Sequence, residues 1–497
     1  MKSFEQQIQY VVENNIPATE DIAIQWSTLI SGQSSRNATT VVPPLLTTTW
    51  DQGWPYNSLC PVDPSGPGGH VWAGCVATAM AQILKYHNYP SQGLGAYSYT
   101  WGGYPTTSAD FGATTYNWSG MPNSISTEDA DVATLIYQTA VSCRSMWGAG
   151  STGVGYSGGH DPMTRAFVNY FRMAFSTIQY VRKMDYTDAD WNVLIQNELV
   201  NNRPVYYRGD GIGSHGFVCD GVDPANMYHF NFGWGGLYNG YFALSAITPG
   251  GNDFTNSQEA IIGIKPNDGS TLVVNTTWSG TITKVTHVAV PDAITLTVTP
   301  GATIQFAQDC KLQIFGSLLS TGTSTNYAKF TATNTVTGWD GIKWDNYYMA
   351  YEVMADNDSS KLIYTQVEYS KNSGIYCYGY GKVLIDYCKI NDNVGMWGGG
   401  LSIWTLPIHI TNSEFYNNHA TIEGGGFFVA STGNLSATIS GNDIHDNLSD
   451  ANGGGVSLSN VNLTLNNNSI HHNQAALGAG IDISSGIPTI INNTFTN

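Results

Sequence analysis

Five side chains in the N-terminal half of the 497-residue sequence could together transfer an acyl group. Cys75 could supply a thiolate nucleophile, which needs a base, and His215 offers an imidazole 140 residues later. Asn231 could orient that imidazole, and Trp234 could cover the resulting hydrogen bond. The amide of Gln52, upstream, could join the Cys75 backbone N–H in stabilising an oxyanion. These residue types in one cluster would suit hydrolysis of a peptide or another acyl compound.

The sequence places Cys75 where a loop becomes a buried helix. Glycine and proline dominate residues 64–69, whereas apolar residues then recur with the spacing of one helix face: Val76, Met80, Ile83 and Leu84. Unpaired N–H groups and the positive end of the dipole lie at a helix start, and both favour a thiolate there. Taken alone, Cys75 is also consistent with a small cysteine that merely packs a helix start.

Two other histidines compete with His215 for the role of base. His87 lies twelve residues along the predicted helix from Cys75, about 18 Å away at about 1.5 Å per residue, so it cannot reach the thiol. His70 lies in the loop just before Cys75 and is harder to exclude by distance. We expect His215 to take the proton.

Residues 41–266 resemble the streptopain family of bacterial papain-like cysteine proteases. The resemblance rests on motifs that follow the family's order: Gln52-Gly53-Trp54-Pro55-Tyr56-Asn57, Gly74-Cys75-Val76-Ala77-Thr78-Ala79, His215-Gly216-Phe217-Val218, Asn231 to Gly236 and Gly263-Ile264-Lys265-Pro266. It implies that Cys75 is the nucleophile, that His215 is the general base and acid, and that Gln52 contributes to the oxyanion hole. It implies neither a cofactor nor a metal.

Two positions depart from the family pattern. Ser214 stands where the family often has glycine, and Phe232 where it often has tryptophan. A main-chain carbonyl near position 232 is therefore an alternative to Asn231 as the group that orients His215.

Local patterns within 41–266 predict helices first and strands later. We expect helices near 75–87, 128–143, 160–173 and 189–201, and extended segments at 205–207, 217–218, 228–231 and 261–264. This order predicts an α+β papain-like domain with the site in the cleft between its halves. Residues 1–40 resemble the end of an inhibitory propeptide, with helices in 5–30; an ordinary N-terminal helical arm is the alternative.

From residue 267 onward the sequence becomes repetitive, after a polar linker. An apolar–x–x–polar–x–apolar–x–x–Asn pattern recurs, and its second apolar positions are Val367, Ile390, Phe415, Ile444, Ile470 and Phe495. Glycine triplets keep step with it. A period of 20–30 residues with asparagine at fixed turns predicts a solenoid in which stacked asparagines bond from rung to rung. Residues 267–497 resemble the right-handed parallel β-helix domains of the pectate-lyase superfamily, and we expect them to fold separately.

The composition of the chain excludes several classes of binding partner. The net charge is −18 with only 19 Lys and Arg residues, which argues against binding nucleic acid or anionic lipid. No apolar run is long enough to span a membrane, and no signal peptide opens the sequence, so a secreted or cell-surface location is implied by the resemblance alone. Seven cysteines form no CxxC pair, which argues against a zinc site or a dense disulfide framework.

Two functions compete for the solenoid. In the first, it is a non-catalytic module that binds a carbohydrate or cell-surface ligand or serves only as a spacer for the enzyme. In the second, it is itself active on carbohydrate, and the protease-like domain is an accessory. Aromatic residues at Tyr376, Tyr378, Tyr380, Trp397 and Trp404 could stack on sugars. No Lys or Arg follows Lys389, so the later rungs lack the cationic base that a polysaccharide lyase usually needs. We therefore predict a secreted cysteine endopeptidase acting on proteins or peptides, with a β-helix for binding or spacing.

Overall fold

The computed structural model of the chain describes residues 41–155, 161–211, 213–345, 359–379, 382–404, 408–431 and 437–496. The helices expected in residues 5–30, and the whole of the 1–40 segment, lie outside the described residues. Tyr380 lies outside them as well.

The first half of the described chain holds its α-helices, together with short 3-10 turns at Pro67–Gly69, Lys183–Asp185 and Pro249–Gly251. The α-helices are α1 (Cys75–His87), α2 (Ala130–Ser142), α3 (Pro162–Asn169) and α4 (Asp188–Val200). The strands of this half are β1 (Ala96–Tyr99), β2 (Thr107–Asp110), β3 (Gln179–Arg182), β4 (Val205–Asp210), β5 (Ser214–Val222), β6 (Tyr228–Asn231), β7 (Gly240–Phe242) and β8 (Asn256–Ile262).

Strands β3 to β8 form one antiparallel sheet in the order β3-β8-β4-β5-β6-β7. One apolar core lies among α1, α2, α3 and the near face of this sheet, and a second joins α4 to β4, β5 and β6. Helix α1 packs against β5. The start of α1 and the start of β5 therefore meet at the seam between a helical half and a sheet half.

Local sequence explains where the helices begin and end. The predicted first helix is confirmed at Cys75–His87; Gly74 caps it at a positive φ of 96°, and Asn88 ends it in the left-handed region at 47°. The Asp129 carboxylate accepts N–H groups at the start of α2. Helix α3 is shorter than the predicted 160–173 because it begins at Pro162 and ends at Asn169.

The second half is the predicted parallel β-helix. Its strands are β9 Thr276–Trp278, β10 Thr281–Lys284, β11 Val288–Val290, β12 Thr295–Val298, β13 Thr303–Phe306, β14 Lys311–Ile314, β15 Ser317–Thr321, β16 Ala328–Ala332, β17 Gly341–Asp345, β18 Ser359–Ile363, β19 Thr365–Glu368, β20 Ile375–Tyr378, β21 Lys382–Asp386, β22 Lys389–Asn391, β23 Val394–Trp397, β24 Leu401–Trp404, β25 Ile408–Thr411, β26 Glu414–Tyr416, β27 His419–Glu423, β28 Phe427–Ala430, β29 Ala437–Ser440, β30 Asp443–His445, β31 Leu448–Ser449, β32 Val456–Ser459, β33 Thr464–Asn466, β34 Ser469–His471, β35 Ile481–Ile483, β36 Thr489–Ile491 and β37 Thr494–Thr496.

These strands form four parallel sheets. The first has the order β10, β13, β16, β19, β22, β26, β30, β34, β37, and the second the order β11, β14, β17, β20, β24, β28, β32, β35. The third has the order β9, β12, β15, β18, β21, β25, β29, β33, β36, and the short fourth the order β23, β27, β31.

The repeat seen in the sequence is the register of this solenoid. Its apolar positions pair from rung to rung: Val367 with Ile390, then Phe415, Ile444, Ile470 and Phe495. The expected asparagine ladder is present, since each Nδ2 donates to the next Oδ1 from Asn393 to Asn418 (3.1 Å), Asn447 (3.0 Å) and Asn473 (2.9 Å).

The polar linker predicted after residue 266 lies against the first half. Asp268 accepts a hydrogen bond from Ser176 Oγ at 2.5 Å, and Thr271 Oγ1 donates to the Met173 carbonyl at 2.7 Å. A solenoid carboxylate, Asp292, binds the guanidinium of Arg165 at 2.6 Å.

Apolar contacts also cross this junction. Leu94 packs in the solenoid core, whereas Ala289 belongs to the core of the first half. The ring of Phe175 meets that of Phe315 edge-on at 6.3 Å. The junction is thus partly apolar, whereas two domains joined by a flexible linker usually share only a small polar interface. That a separately folding domain begins at residue 267 stays a prediction.

Candidate active site

Cys75 is the first residue of α1 and is only partly exposed. Burial alone would raise the pKa of its thiol, but the charge of His215 and its hydrogen bond to the sulfur outweigh burial and lower that pKa. The backbone N–H groups of Gly216 and Val76 act in the same direction, and the Gly216 nitrogen lies 3.4 Å from Sγ. The helix start and the histidine therefore both favour a thiolate.

His215 stands near the start of β5, buried, with 7% of its surface exposed. Its Nε2 lies 2.8 Å from the main-chain carbonyl of Phe232, so the nitrogen that faces this acceptor carries a proton. Nδ1 is then the nitrogen left for the Cys75 sulfur. One ring nitrogen is held by the fold and the other faces the thiol, as a general base requires.

Aromatic rings hold the imidazole on several sides. Trp234 stacks on His215 with ring centroids 4.6 Å apart and planes inclined by 27°. Phe254 lies at 5.2 Å and Phe217 at 5.7 Å. This enclosure fixes the ring and excludes water from its bond to the Phe232 carbonyl.

Gln52 lies beside the segment that leads into α1. Its carbonyl accepts a hydrogen bond from the Ala73 N–H at 2.9 Å, two residues before Cys75. Its Nε2 lies 3.4 Å from the Gly233 carbonyl, a long contact that uses one of two amide hydrogens. The structure thus brings Gln52 to the side of the cleft where Cys75 and the 231–234 segment meet.

The structure corrects the expected contact of Asn231. Its Nδ2 donates to the Thr48 carbonyl (2.7 Å) and to Gln82 Oε1 (3.1 Å), and its Oδ1 accepts the Gly233 N–H (3.1 Å). The side chain, at the end of β6, is buried, and these partners engage both of its amide atoms. The neighbouring carbonyl of Phe232, which was the alternative, holds the imidazole instead.

The competing histidines have other partners. His70 Nδ1 lies 2.7 Å from the Cys60 carbonyl, and its ring stacks on Trp54 at 6.0 Å. His87 ends α1, where burial lowers its pKa to about 4. The His70 ring is thus engaged elsewhere, and His87 lies at the opposite end of α1 from the thiol.

The other cysteines differ from Cys75 in their surroundings. All seven are free thiols, and burial raises the pKa of the six others, to about 12 for Cys143 and Cys388. Among the described residues, no group of three or more His, Cys, Asp or Glu side chains is arranged to hold a metal ion. No helix in the described part of the chain is both apolar and long enough to cross a membrane.

Several groups at the site were missed in the sequence. The Gly216 N–H belongs to the main chain, which carries no residue-specific signal. Gln82 and Thr48, which bind Asn231, have side chains that gave no hint of their place at the site.

Both halves of the chain are similar to known protein families. Residues 50–242 match the Peptidase C10 family, and residues 351–497 match a right-handed beta helix region. Streptopain of Streptococcus pyogenes is 37% identical over 244 residues, which are 44% of this chain and 60% of that protein. The thiol protease/hemagglutinin PrtT of Porphyromonas gingivalis is 31% identical over 293 residues, 56% of this chain and 33% of PrtT.

The chain therefore spans less than two thirds of the length of these relatives. The solved structure of interpain A, a cysteine protease of Prevotella intermedia, is 32% identical, with a TM-score of 0.43, and the match covers 46% of this chain and 97% of that one. The chain carries a Peptidase C10 domain, which is a cysteine-type peptidase domain, followed by a right-handed parallel β-helix.

Proposed function

We propose that the protein is a secreted cysteine endopeptidase in which Cys75 is the nucleophile and His215 the general base and acid. The observation that carries the proposal is the Cys75 thiol at a helix start, hydrogen-bonded to an imidazole whose other nitrogen is fixed by the Phe232 carbonyl. Gln52 supplies an oxyanion donor, and Trp234 shields the imidazole. Its substrates are proteins or peptides.

In the first step the Cys75 thiolate attacks the scissile carbonyl carbon, and the carbonyl π electrons move onto oxygen. The resulting oxyanion is stabilised by the Cys75 backbone N–H and by the second amide hydrogen of Gln52. His215, protonated when the thiolate forms, then gives its Nδ1 proton to the leaving amine as the C–N bond breaks. A thioester on Cys75 and a free amine result.

In the second step His215 takes a proton from water as the water oxygen attacks the thioester carbonyl. The C–S bond breaks, the acid product leaves, and the thiolate is restored beside a protonated imidazole. The Phe232 carbonyl stays bonded to Nε2 throughout, so the ring keeps one orientation during both proton transfers. Trp234, stacked on the ring, can also stabilise the imidazolium through a cation–π interaction.

The test is Cys75→Ala. We expect it to abolish cleavage of casein and labelling by a thiol-directed epoxide, while circular dichroism stays that of the unmodified protein. Cys143→Ala is the matched control because that thiol is buried and its pKa is raised. Cleavage that persists in Cys75→Ala would refute the proposal.

A second candidate function belongs to the solenoid, which we propose as a site for a neutral saccharide. Tyr378 and Trp404 are neighbours in register, and the Trp404 ring lies 5.0 Å from Phe428 and 5.8 Å from Trp397, of which 36% is exposed. Rings of this kind stack on the apolar faces of sugars. Since no Lys or Arg follows Lys389, an anionic glycan would find no countercharge on these later rungs.

Two partly exposed carboxylates, Glu423 and Asp482, lie on the neighbouring rungs. Asp482 follows Phe428 in register through Ser457, which is buried and whose Oγ donates to Glu423 Oε2 at 3.0 Å. Burial, with the charge of Glu423, raises the pKa of Asp482. Such carboxylates suit hydrogen bonds from sugar hydroxyls.

Affinity electrophoresis on neutral polysaccharides tests this second function. Trp404→Ala should lose retardation, whereas Tyr387→Ala, an aromatic residue 42% exposed elsewhere on the solenoid, should keep it. Release of sugars that thiol blockers do not affect would favour a carbohydrate-active solenoid instead. Equal retardation of both variants would refute the site.

A further inference from the structure

The Cys75 helix carries a second side chain that reaches the site from behind. Gln82 lies two turns after Cys75 on the buried face of α1 and is fully buried. Its Nε2 donates to Asn231 Oδ1 at 3.2 Å, and its Oε1 accepts Asn231 Nδ2 at 3.1 Å. The two amides thus bind each other in both directions.

Each amide also binds a backbone or hydroxyl group of a different segment. Gln82 Oε1 accepts Thr48 Oγ1 at 2.8 Å and lies 3.4 Å from the Trp50 N–H. Asn231 binds the Thr48 carbonyl and the Gly233 N–H at 2.7 and 3.1 Å. These partners fix both amide orientations, because a flipped amide would point N–H₂ at a donor and oxygen at a carbonyl.

The three joined segments carry the three parts of the site. Helix α1 carries Cys75, residues 48–52 lead into Gln52, and the segment after Asn231 carries the carbonyl that holds His215. Gly233 belongs to the same segment and accepts the Gln52 amide. A shift of either amide would therefore displace nucleophile, base and oxyanion donor relative to one another.

We propose that the Gln82–Asn231 amide pair is a positioning device that sets the distance between the Cys75 thiol and the His215 imidazole. The inference rests on the proposed peptidase function and deepens it. Neither side chain contacts the reacting atoms; both act through the helix start and the Phe232 carbonyl. Misplacement of reacting groups by about 1 Å can cost about 100-fold in rate.

The test replaces Gln82 by methionine, which keeps the volume and removes both hydrogen-bonding groups. We expect kcat for a short peptide to fall by about 10-fold to 100-fold with little change in KM. The rate of Cys75 alkylation by iodoacetamide, followed against pH by mass spectrometry, should shift to higher pH. Alkylation reports on the thiol without requiring peptidase activity, so the shift can be seen even if the proposed peptidase function fails.

Gln138→Met is the matched control. Gln138 is also a buried amide on a helix, bonded to Tyr116 at 2.5 Å and to Thr114 at 2.7 Å, away from the site. It should lower stability to a similar degree and leave kcat and the alkylation profile unchanged. Equal changes in both variants, or none in Gln82→Met, would overturn the proposal.

Two further variants cover a folding failure of Gln82→Met. Thr48→Val removes only one bond to Gln82 and should move kcat and alkylation in the same direction by a few-fold; unchanged values would count against the pair. The swap Gln82→Asn with Asn231→Gln keeps the summed length of the two side chains and should recover part of the lost kcat. A swap no better than Gln82→Asn alone would also contradict the proposal.

Discussion

The two halves of the chain bring their key residues together in opposite ways. In the protease half, Cys75 and Gly216 meet although 141 residues separate them, and no repeat predicts the contact. In the solenoid, Asn418 and Asn447 meet because they stand one rung apart, at a separation of 29 residues. The site is therefore held by long-range packing that a single change can misplace, whereas the ladder repeats one contact many times.

The ladder and the site should differ in how well they tolerate an amino-acid substitution. Losing one asparagine from the ladder leaves neighbouring rungs with their own bonds, because each rung contacts mainly the next. Losing one group of the site leaves no equivalent to replace it. Substitutions at the site should thus affect activity more than stability, and those in the asparagine ladder the reverse.

The largest effect is expected for His215→Ala. Removing the proposed base should lower kcat/KM by about 1,000-fold or more, equivalent to over about 4 kcal/mol. His215 lowers the pKa of Cys75, so the unmodified thiol stays ionised and reactive below the ordinary thiol range and loses reactivity as pH falls through the lowered pKa. In the variant that loss should begin at higher pH, as measured by iodoacetamide labelling.

His70→Ala is the control for this prediction, because its ring contacts the Cys60 carbonyl and Trp54. It should keep near-normal activity. If His70→Ala lost activity while His215→Ala kept it, the base would be misassigned.

The next effect concerns the ladder. Asn447→Leu removes a buried amide that binds the Phe415 carbonyl (2.9 Å), Asn473 (2.9 Å) and the Asn418 N–H (3.0 Å). Leaving such groups unsatisfied should lower the free energy of unfolding by about 3 kcal/mol. Urea unfolding measures this, and peptide hydrolysis below the transition should be unchanged.

Asn462→Leu is the comparison for the ladder. Asn462 is exposed, and its Oδ1 accepts the Ile487 N–H at 2.8 Å. Its replacement should cost less than about 1 kcal/mol. Equal losses for Asn447 and Asn462 would show that the ladder adds nothing beyond an ordinary surface bond.

A smaller loss of stability is expected from a substitution at the junction between the two halves. Arg165→Met leaves the mostly buried Asp292 carboxylate without its guanidinium, and the free energy of unfolding should fall by about 2 kcal/mol. Chemical unfolding followed by tryptophan fluorescence should then resolve two transitions, whereas the unmodified protein should show one. Arg182→Met breaks an exposed pair with Asp185, which solvent screens, so its cost should be much smaller than that of Arg165→Met.

The same junction bears on removing the solenoid. A chain that ends near residue 267 would expose Leu94 and Phe175 to water, so we expect it to be less stable, although peptide hydrolysis is retained where it stays folded. If that shortened chain were as stable as the whole, the apolar contacts at the junction would carry no energy.

The smallest effect is expected for Trp234→Phe. A smaller ring keeps part of the stacking on His215 and should lower kcat by about 5-fold, equivalent to about 1 kcal/mol. Tyr238→Phe, which leaves the imidazole untouched, is the control. A loss as large as that of His215→Ala would mean that Trp234 takes part in the chemistry rather than covering the ring.

Much of this architecture could be predicted because it depends on local or periodic patterns. The 3.6-residue spacing after Cys75 predicted a helix whose observed bounds are Cys75–His87, and the run 228–231 is strand β6 as expected. The apolar positions of the repeat, such as Ile390 and Phe415, pair in the register that their spacing indicated. Helix 160–173 was predicted too long, because Pro162 starts it late and Tyr170 closes it.

The sequence by itself determined the residue types of the site, the helix that begins with Cys75 and the rungs of the solenoid, since side-chain chemistry and periodicity are written in the order of residues. Only the tertiary structure decided that the Phe232 carbonyl, not the Asn231 amide, holds His215, and that Asn231 binds Gln82 instead. A carbonyl or N–H is the same group at every residue, and a buried amide can serve any neighbour. Which of them meets the imidazole is therefore fixed by how α1 and β6 pack, at a distance in sequence that no local pattern records.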